Sequence, residues 1–182
     1  MKSLVKMLSL SSVMTLGLLA GCSSTASKSP DVSDSIRRSL DQAGLNDVTV
    51  KQDRDKGVVT LGGHVKADSD KSQAETIAKS NAAGQVVADE VAVIPSGAES
   101  EARAVNSDVD KGIDKNLDAA FIKAGLNKDI KYDVKNGVVT LTGSVNSQTK
   151  KIRAEAVASK VPNVQQVVNE LEVKNPKATS TN

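Results

Sequence analysis

Tryptophan is absent from this 182-residue chain, and phenylalanine and tyrosine occur once each. With Phe121 and Tyr132 as its only aromatic side chains, the chain must build any hydrophobic core from aliphatic residues. A single cysteine, Cys22, excludes an intramolecular disulfide. A single histidine, His64, leaves no histidine pair for a metal centre or a catalytic relay, and its counterpart in the repeat described below is Ser144. His64 therefore reads as an ordinary strand-face residue. No glycine-rich phosphate cradle and no metal-ligand spacing occurs, so neither catalysis nor a cofactor is expected, and each folding unit should form without one. After residue 20 no apolar run approaches the roughly 20 residues that a membrane span needs, so no transmembrane helix is predicted.

What is present begins at the N-terminus. Lys2 and Lys6 precede an apolar stretch from about Met7 to Ala20, which ends abruptly in Ser, Thr, Lys and Pro. That order is the mark of a secretory signal. The last residues of the stretch, Leu19-Ala20-Gly21-Cys22, resemble the lipobox of bacterial lipoproteins. The resemblance implies cleavage before Cys22 and lipidation of its thiol and new amine, an anchor far firmer than one acyl chain provides. By the sorting rule of the lipoproteins that the chain resembles, Ser23 in place of an aspartate implies the outer membrane if the cell is Gram-negative, with the protein facing the periplasm.

Loss of residues 1–21 removes Lys2 and Lys6 and leaves 22 basic against 22 acidic residues. A chain so balanced has no uniformly basic surface for nucleic acid, and none is expected as a partner.

Two halves of the chain repeat each other. Ala43-Gly44-Leu45-Asn46 returns as Ala124-Gly125-Leu126-Asn127, and Gly57-Val58-Val59-Thr60-Leu61 returns as Gly137-Val138-Val139-Thr140-Leu141. The offset is 81 residues in the first pair and 80 in the second, so a one-residue difference lies between them. A period this long is that of a tandem domain pair and not of a solenoid.

Each half reads with one grammar. Val32, Ile36, Leu40 and Ala43 form an apolar helical stripe in the first, and Val105, Val109, Ile113, Leu117, Phe121 and Ala124 form one in the second. Phe121 lies on that stripe opposite Leu40 in the repeat, which favours core packing over exposure. Gly44 and Gly125 stop these helices. Paired strands follow, Val48–Gln52 with Val58–Val65 and Ile130–Val134 with Val138–Val145, the second pair joined through Asn136-Gly137, a strong hairpin signal. A helix comes next, about 69–81 and 147–160, and then a last strand, about 86–93 and 167–173. Gly63 and Gly143 are expected to let a helix backbone come close to the sheet.

The predicted fold is therefore α+β, two tandem α-β-β-α-β modules, each a small three-stranded mixed sheet covered on one face by two helices. The boundaries read as a signal at 1–21, Cys22 and a flexible tether at 22–29, a first module at 30–97, a linker at 98–103, a second module at 104–174 and a disordered tail at 175–182.

This repeated module, with its Gly-Val-Val-Thr-Leu-x-Gly-x-Val strand, resembles the BON (bacterial OsmY and nodulation) family, and the lipobox ahead of two modules resembles that family's outer-membrane lipoproteins. The resemblance implies recognition of phospholipid, support of outer-membrane integrity and a role in osmotic or envelope stress. It also implies that the second module, through its first helix and adjoining loop, is the one that meets phospholipid. Charge points the same way: residues 30–97 carry 8 basic and 11 acidic side chains, whereas residues 104–174 carry 11 and 9. The candidate phospholipid contacts are Lys123, Lys128 and Lys131 around the end of that helix, and Lys150, Lys151 and Arg153 at the start of the next. The alternative is a module that binds or chaperones envelope proteins, with the lipid serving only as a tether.

Overall fold

The computed structural model describes residues 28–174. The expected signal, Cys22, most of the tether and the tail from residue 175 lie outside the described residues.

The first module comprises α1 (Ser33–Gln42), β1 (Val48–Asp53), β2 (Val58–Val65), α2 (Asp68–Asn81), β3 (Val86–Asp89) and β4 (Ala92–Val93). The second repeats it as α3 (Glu99–Ala124), β5 (Ile130–Lys135), β6 (Val138–Val145), α4 (Gln148–Ala158), β7 (Gln166–Asn169) and β8 (Glu172–Val173). Residues 99–103, expected in a linker, are instead the opening turns of α3. The 26 residues of α3 make it about 39 Å long.

The repeated Ala-Gly-Leu-Asn is a helix stop with a physical reason. Gly44 and Gly125 take left-handed φ angles of 78° and 66°. Gly44 N–H then bonds Asp41 O and Leu45 N–H bonds Leu40 O, and Gly125 and Leu126 do the same to Ile122 and Phe121. This Schellman pairing satisfies the last carbonyls of each helix and folds the following leucine back onto the residue it bonds. Leu45 and Leu126 are accordingly buried beside Leu40 and Phe121.

In each sheet the first two strands pair antiparallel, and the last runs parallel to the middle one. The strand expected as continuous over 86–93 is broken into β3 and β4, which both pair with β2 in one register, Val58 opposite Val86 and Val65 opposite Val93. The break is an Asx turn: Asp89 Oδ1 accepts Val91 N–H at 3.1 Å, and Asn169 Oδ1 accepts Leu171 N–H at 3.3 Å. It drives Val91 and Leu171 into the cores, where they are 0% and 2% exposed.

The one-residue difference between repeats is a net value. Register places Val48 opposite Gly63 and Ile130 opposite Gly143. The second module therefore has one more residue before its first strand and two fewer in its hairpin. Gly63 and Gly143 also prove to serve a different contact from the one expected. A Cβ there would lie 2.0 Å from Asp47 O and 2.6 Å from Asp129 O, so they admit the loop entering the first strand and not a helix.

Two helices cover one face of each sheet, and the cores are aliphatic except for Phe121 and the half-buried Tyr132 packed against it. Ile113, Leu117 and Phe121 on α3 are at most 1% exposed, and burying each such side chain contributes about 1.5–3 kcal/mol. Phe121 is thus a core residue, as its place on the stripe predicts.

The opposite sheet faces meet each other. Val59 and Leu61 point to the helices, so Val58 points away, and it joins Ala88, Val138 and Val168 in a small buried cluster between the modules. Val138 and Val168 are the repeat counterparts of Val58 and Ala88, so the contact is self-complementary. At its rim Lys56 meets Glu170 at 2.5 Å and Lys135 meets Glu90 at 2.8 Å. The glutamates occupy equivalent places at the two strand breaks. The Glu170 hydrogen bond holds the Lys56 ammonium above its ordinary pKa.

Candidate functional site

The antiparallel packing of α3 on α4 leaves an apolar groove of 450 Å³, lined by Ala120, Lys123 and Ala124 on α3 and by Val157, Lys160 and Val161 at the end of α4 and beyond it. The small side chains Ala120 and Ala124, one helical turn apart, create the space. The lysines bring long stems with charged ends, which can lie along apolar surface while the ammonium stays in water. Beside Lys123, Ile122 is 62% exposed, an apolar side chain off the buried stripe.

The sequence candidates divide among several places. Lys123 and Lys128 are exposed at the end of α3 and in the loop after it. That loop is tied to α4 by an ion pair between Asp129 and Lys150, so Lys150 stands beside it with its charge already partnered. Lys151 is half-buried and donates Nζ to Leu171 O at 2.7 Å, bracing the strand break. Arg153 is exposed on α4. Lys131 alternates along β5 with Ile130 and Tyr132, which contribute to the core, and so faces the other side of the sheet from the two helices.

Lys160, Val161 and Ile122 were not among the sequence candidates. Ile122 carries a readable signal, a large apolar residue outside the three-and-four spacing of the helix. Lys160 becomes notable only once α4 is packed on α3.

The remaining titratable residues serve local structure. Tyr132 packs its ring 5.5 Å from that of Phe121 and donates its hydroxyl to Asp118 at 2.6 Å. Burial, followed by that carboxylate, holds its pKa well above the usual phenol value. Asp89 is 6% exposed and burial raises its pKa, Lys71 opposing the shift. His64 is half-buried at the end of β2. Among the described residues no group of His, Cys, Asp and Glu is arranged to hold a metal ion, and no helix is long and apolar enough to cross a membrane.

Comparison with known proteins places this geometry. The BON domain model matches residues 29–95 and again 109–175. The chain is similar to osmotically-inducible protein Y of Escherichia coli (strain K12), 30% identical over 141 residues, covering 74% of this chain and 65% of that one. It thus spans a little under two-thirds of that relative. Among solved structures it is similar to the C-terminal domain of CdsD, a structural protein of the type III secretion system of Chlamydia trachomatis. That match has 11% identity and a TM-score of 0.32, and covers 78% of this chain and 66% of that one. A second CdsD structure matches at 16% identity and a TM-score of 0.35, over 78% of this chain and 91% of that one. The two matched segments take in most of the chain and coincide with the two α-β-β-α-β units, and the chain belongs to the BON-domain family.

Proposed function

We propose that this protein is a non-enzymatic, lipid-anchored component of the bacterial envelope whose second BON module contacts anionic phospholipid, supporting the outer membrane under osmotic or envelope stress. The observation that carries the reading is the groove between α3 and α4, apolar within and flanked by Lys123 and Lys160. An acyl chain matches its lining and an anionic headgroup matches its lysines. Each basic group near an anionic surface contributes about 1 kcal/mol, screened within a Debye length. The stress role draws support from the similarity to osmotically-inducible protein Y. The anchor rests on Leu19-Ala20-Gly21-Cys22 alone.

Co-sedimentation of the protein beginning at Ser23 with vesicles tests the phospholipid contact. Binding to phosphatidylglycerol vesicles at low salt, lost on neutral phosphatidylcholine, is the expected outcome. No binding to either would refute the reading. Mass spectrometry of the membrane-extracted native protein tests the anchor, with an acylated Cys22 at the mature N-terminus expected.

A further inference from the structure

A second groove, of 680 Å³, runs on the other flank of α3, bounded by that helix, by the outer edge of β5 and by His64, Ala92 and Ile94 of the first module. Asn136 and Gly137 have φ angles of 47° and 78°, which close a two-residue hairpin of the primed type with Lys135 and Val138 as its hydrogen-bonded pair. Alternation along the strand then turns the backbone N–H and C=O of Val134 and Tyr132 outward, away from β6. Among the described residues no hydrogen bond outside the regular sheet is made by these groups. An open edge of this kind is a template for another strand.

The first module shows how the same position can be closed. Val50 pairs with Leu61 as Tyr132 pairs with Leu141, so the two are counterparts. Arg37 on α1 donates Nη2 to Val50 O at 3.4 Å. Its counterpart, 81 residues on, is Asp118, whose carboxylate instead accepts the Tyr132 hydroxyl. A carboxylate cannot cover a carbonyl, and the edge at Tyr132 stays open.

Charge narrows the occupant. Asp110 is occupied by the N–H groups of Asn136 and Gly137, at 2.8 and 2.9 Å, and Lys135 by Glu90. Lys111 is likewise held by Asp108 at 3.0 Å, so the helix wall presents Arg103 and Lys115 against Asp114. A strand laid along β5 would turn alternate side chains toward this wall and the others toward Ala92 and Ile94. We infer that this edge receives an extended polypeptide strand of alternating acidic and apolar residues, added to the sheet beside β5. The site is separate from the α3–α4 groove and does not rest on the phospholipid reading.

The test uses the protein beginning at Ser23 and a fluorescein-labelled nonapeptide of alternating Val and Glu. Its comparators are the Val-Lys peptide and the Val-Glu peptide N-methylated at alternate residues. Binding should slow amide exchange at Tyr132 and Val134, and both comparators should bind about tenfold more weakly, since each lacks either the backbone donors or the charge. Asp118→Arg, which supplies the cover found in the first module, should weaken binding by about tenfold, and so should Val134→Pro. Should the proline variant fail to fold, the exposed helix substitution decides. Equal binding of the N-methylated peptide, unchanged exchange at both amides, or their protection by phosphatidylglycerol vesicles in place of the peptide would overturn the inference.

Discussion

Gln166 in the second module donates its side-chain amide to Val87 O in the first at 2.6 Å, while its Oε1 accepts Asp89 N–H at 3.0 Å. One side chain thereby satisfies the outward edge of β3 as a neighbouring strand would. The repeat counterpart of Gln166 is Val86, which is 49% exposed and cannot return the bonds. The junction is symmetric in its apolar centre and in the places of its two paired glutamates, and asymmetric in these glutamine bonds.

Gln166→Val should therefore cost about 1–3 kcal/mol, the range for leaving sheltered backbone groups without partners. It should also loosen the coupling of the two modules. Tyr132, the only tyrosine, reports the second module by fluorescence while circular dichroism reports both. In urea the two transitions should coincide for the unaltered protein and separate in the variant.

Two pairs of repeat-related glycines differ in what surrounds them. Gly63→Ala and Gly143→Ala would place a Cβ against a backbone carbonyl that cannot yield, and each should cost about 3 kcal/mol or more. Gly44→Ala and Gly125→Ala meet nothing within 4 Å and should cost only the left-handed strain, about 1–2 kcal/mol. Denaturant midpoints of the four variants check the ordering.

Asp89 carries a pH dependence whose sign follows from its burial. Its carboxyl is raised above the usual range in the folded state, so the fold favours the protonated form. Its contribution falls as pH rises from the ordinary carboxylate pKa through the folded one, and is at its least favourable at neutral pH. Asn169 stands at the equivalent position and keeps the same turn bond. Asp89→Asn should therefore raise the melting temperature at pH 7 and leave less difference between pH 4 and pH 7. A lower melting temperature at pH 7 would contradict this account of the site.

Phe121 and Ile122 are neighbours with opposite expected effects. Phe121 is 1% exposed and Ile122 62% exposed. Phe121→Ala should destabilise by about 3–5 kcal/mol, whereas Ile122→Ala should stay within about 0.5 kcal/mol and instead weaken vesicle binding. Thermal melts paired with co-sedimentation separate the two roles.

Local grammar was legible in the sequence because it is written in neighbouring residues. The repeated Ala-Gly-Leu-Asn marks both helix ends, Asn136-Gly137 marks the tight hairpin, and the apolar spacing through Ile113, Leu117 and Phe121 marks the buried face of α3. The strand breaks had a signal too, in Asp89-Glu90-Val91 and Asn169-Glu170-Leu171, but an Asx turn inside a valine-rich run reads as strand until its hydrogen bonds are seen. The junction was hidden for another reason. Val58 and Val59 look alike in sequence, and only the pleat sends one to the helices and the other to the partner module. Lysine roles were hidden likewise: nothing local separates exposed Lys123 from Lys151, which bonds a carbonyl 20 residues away.

The central claim is that the α3–α4 groove makes the phospholipid contact, and charge reversal on each face of the second module tests it most directly. Lys123→Glu combined with Lys160→Glu should reduce co-sedimentation with phosphatidylglycerol vesicles at low salt by about tenfold or more. Lys131→Glu, on the far face of the sheet, should change it less than about twofold. Equal losses from the two, or no loss from the groove pair, would contradict the account.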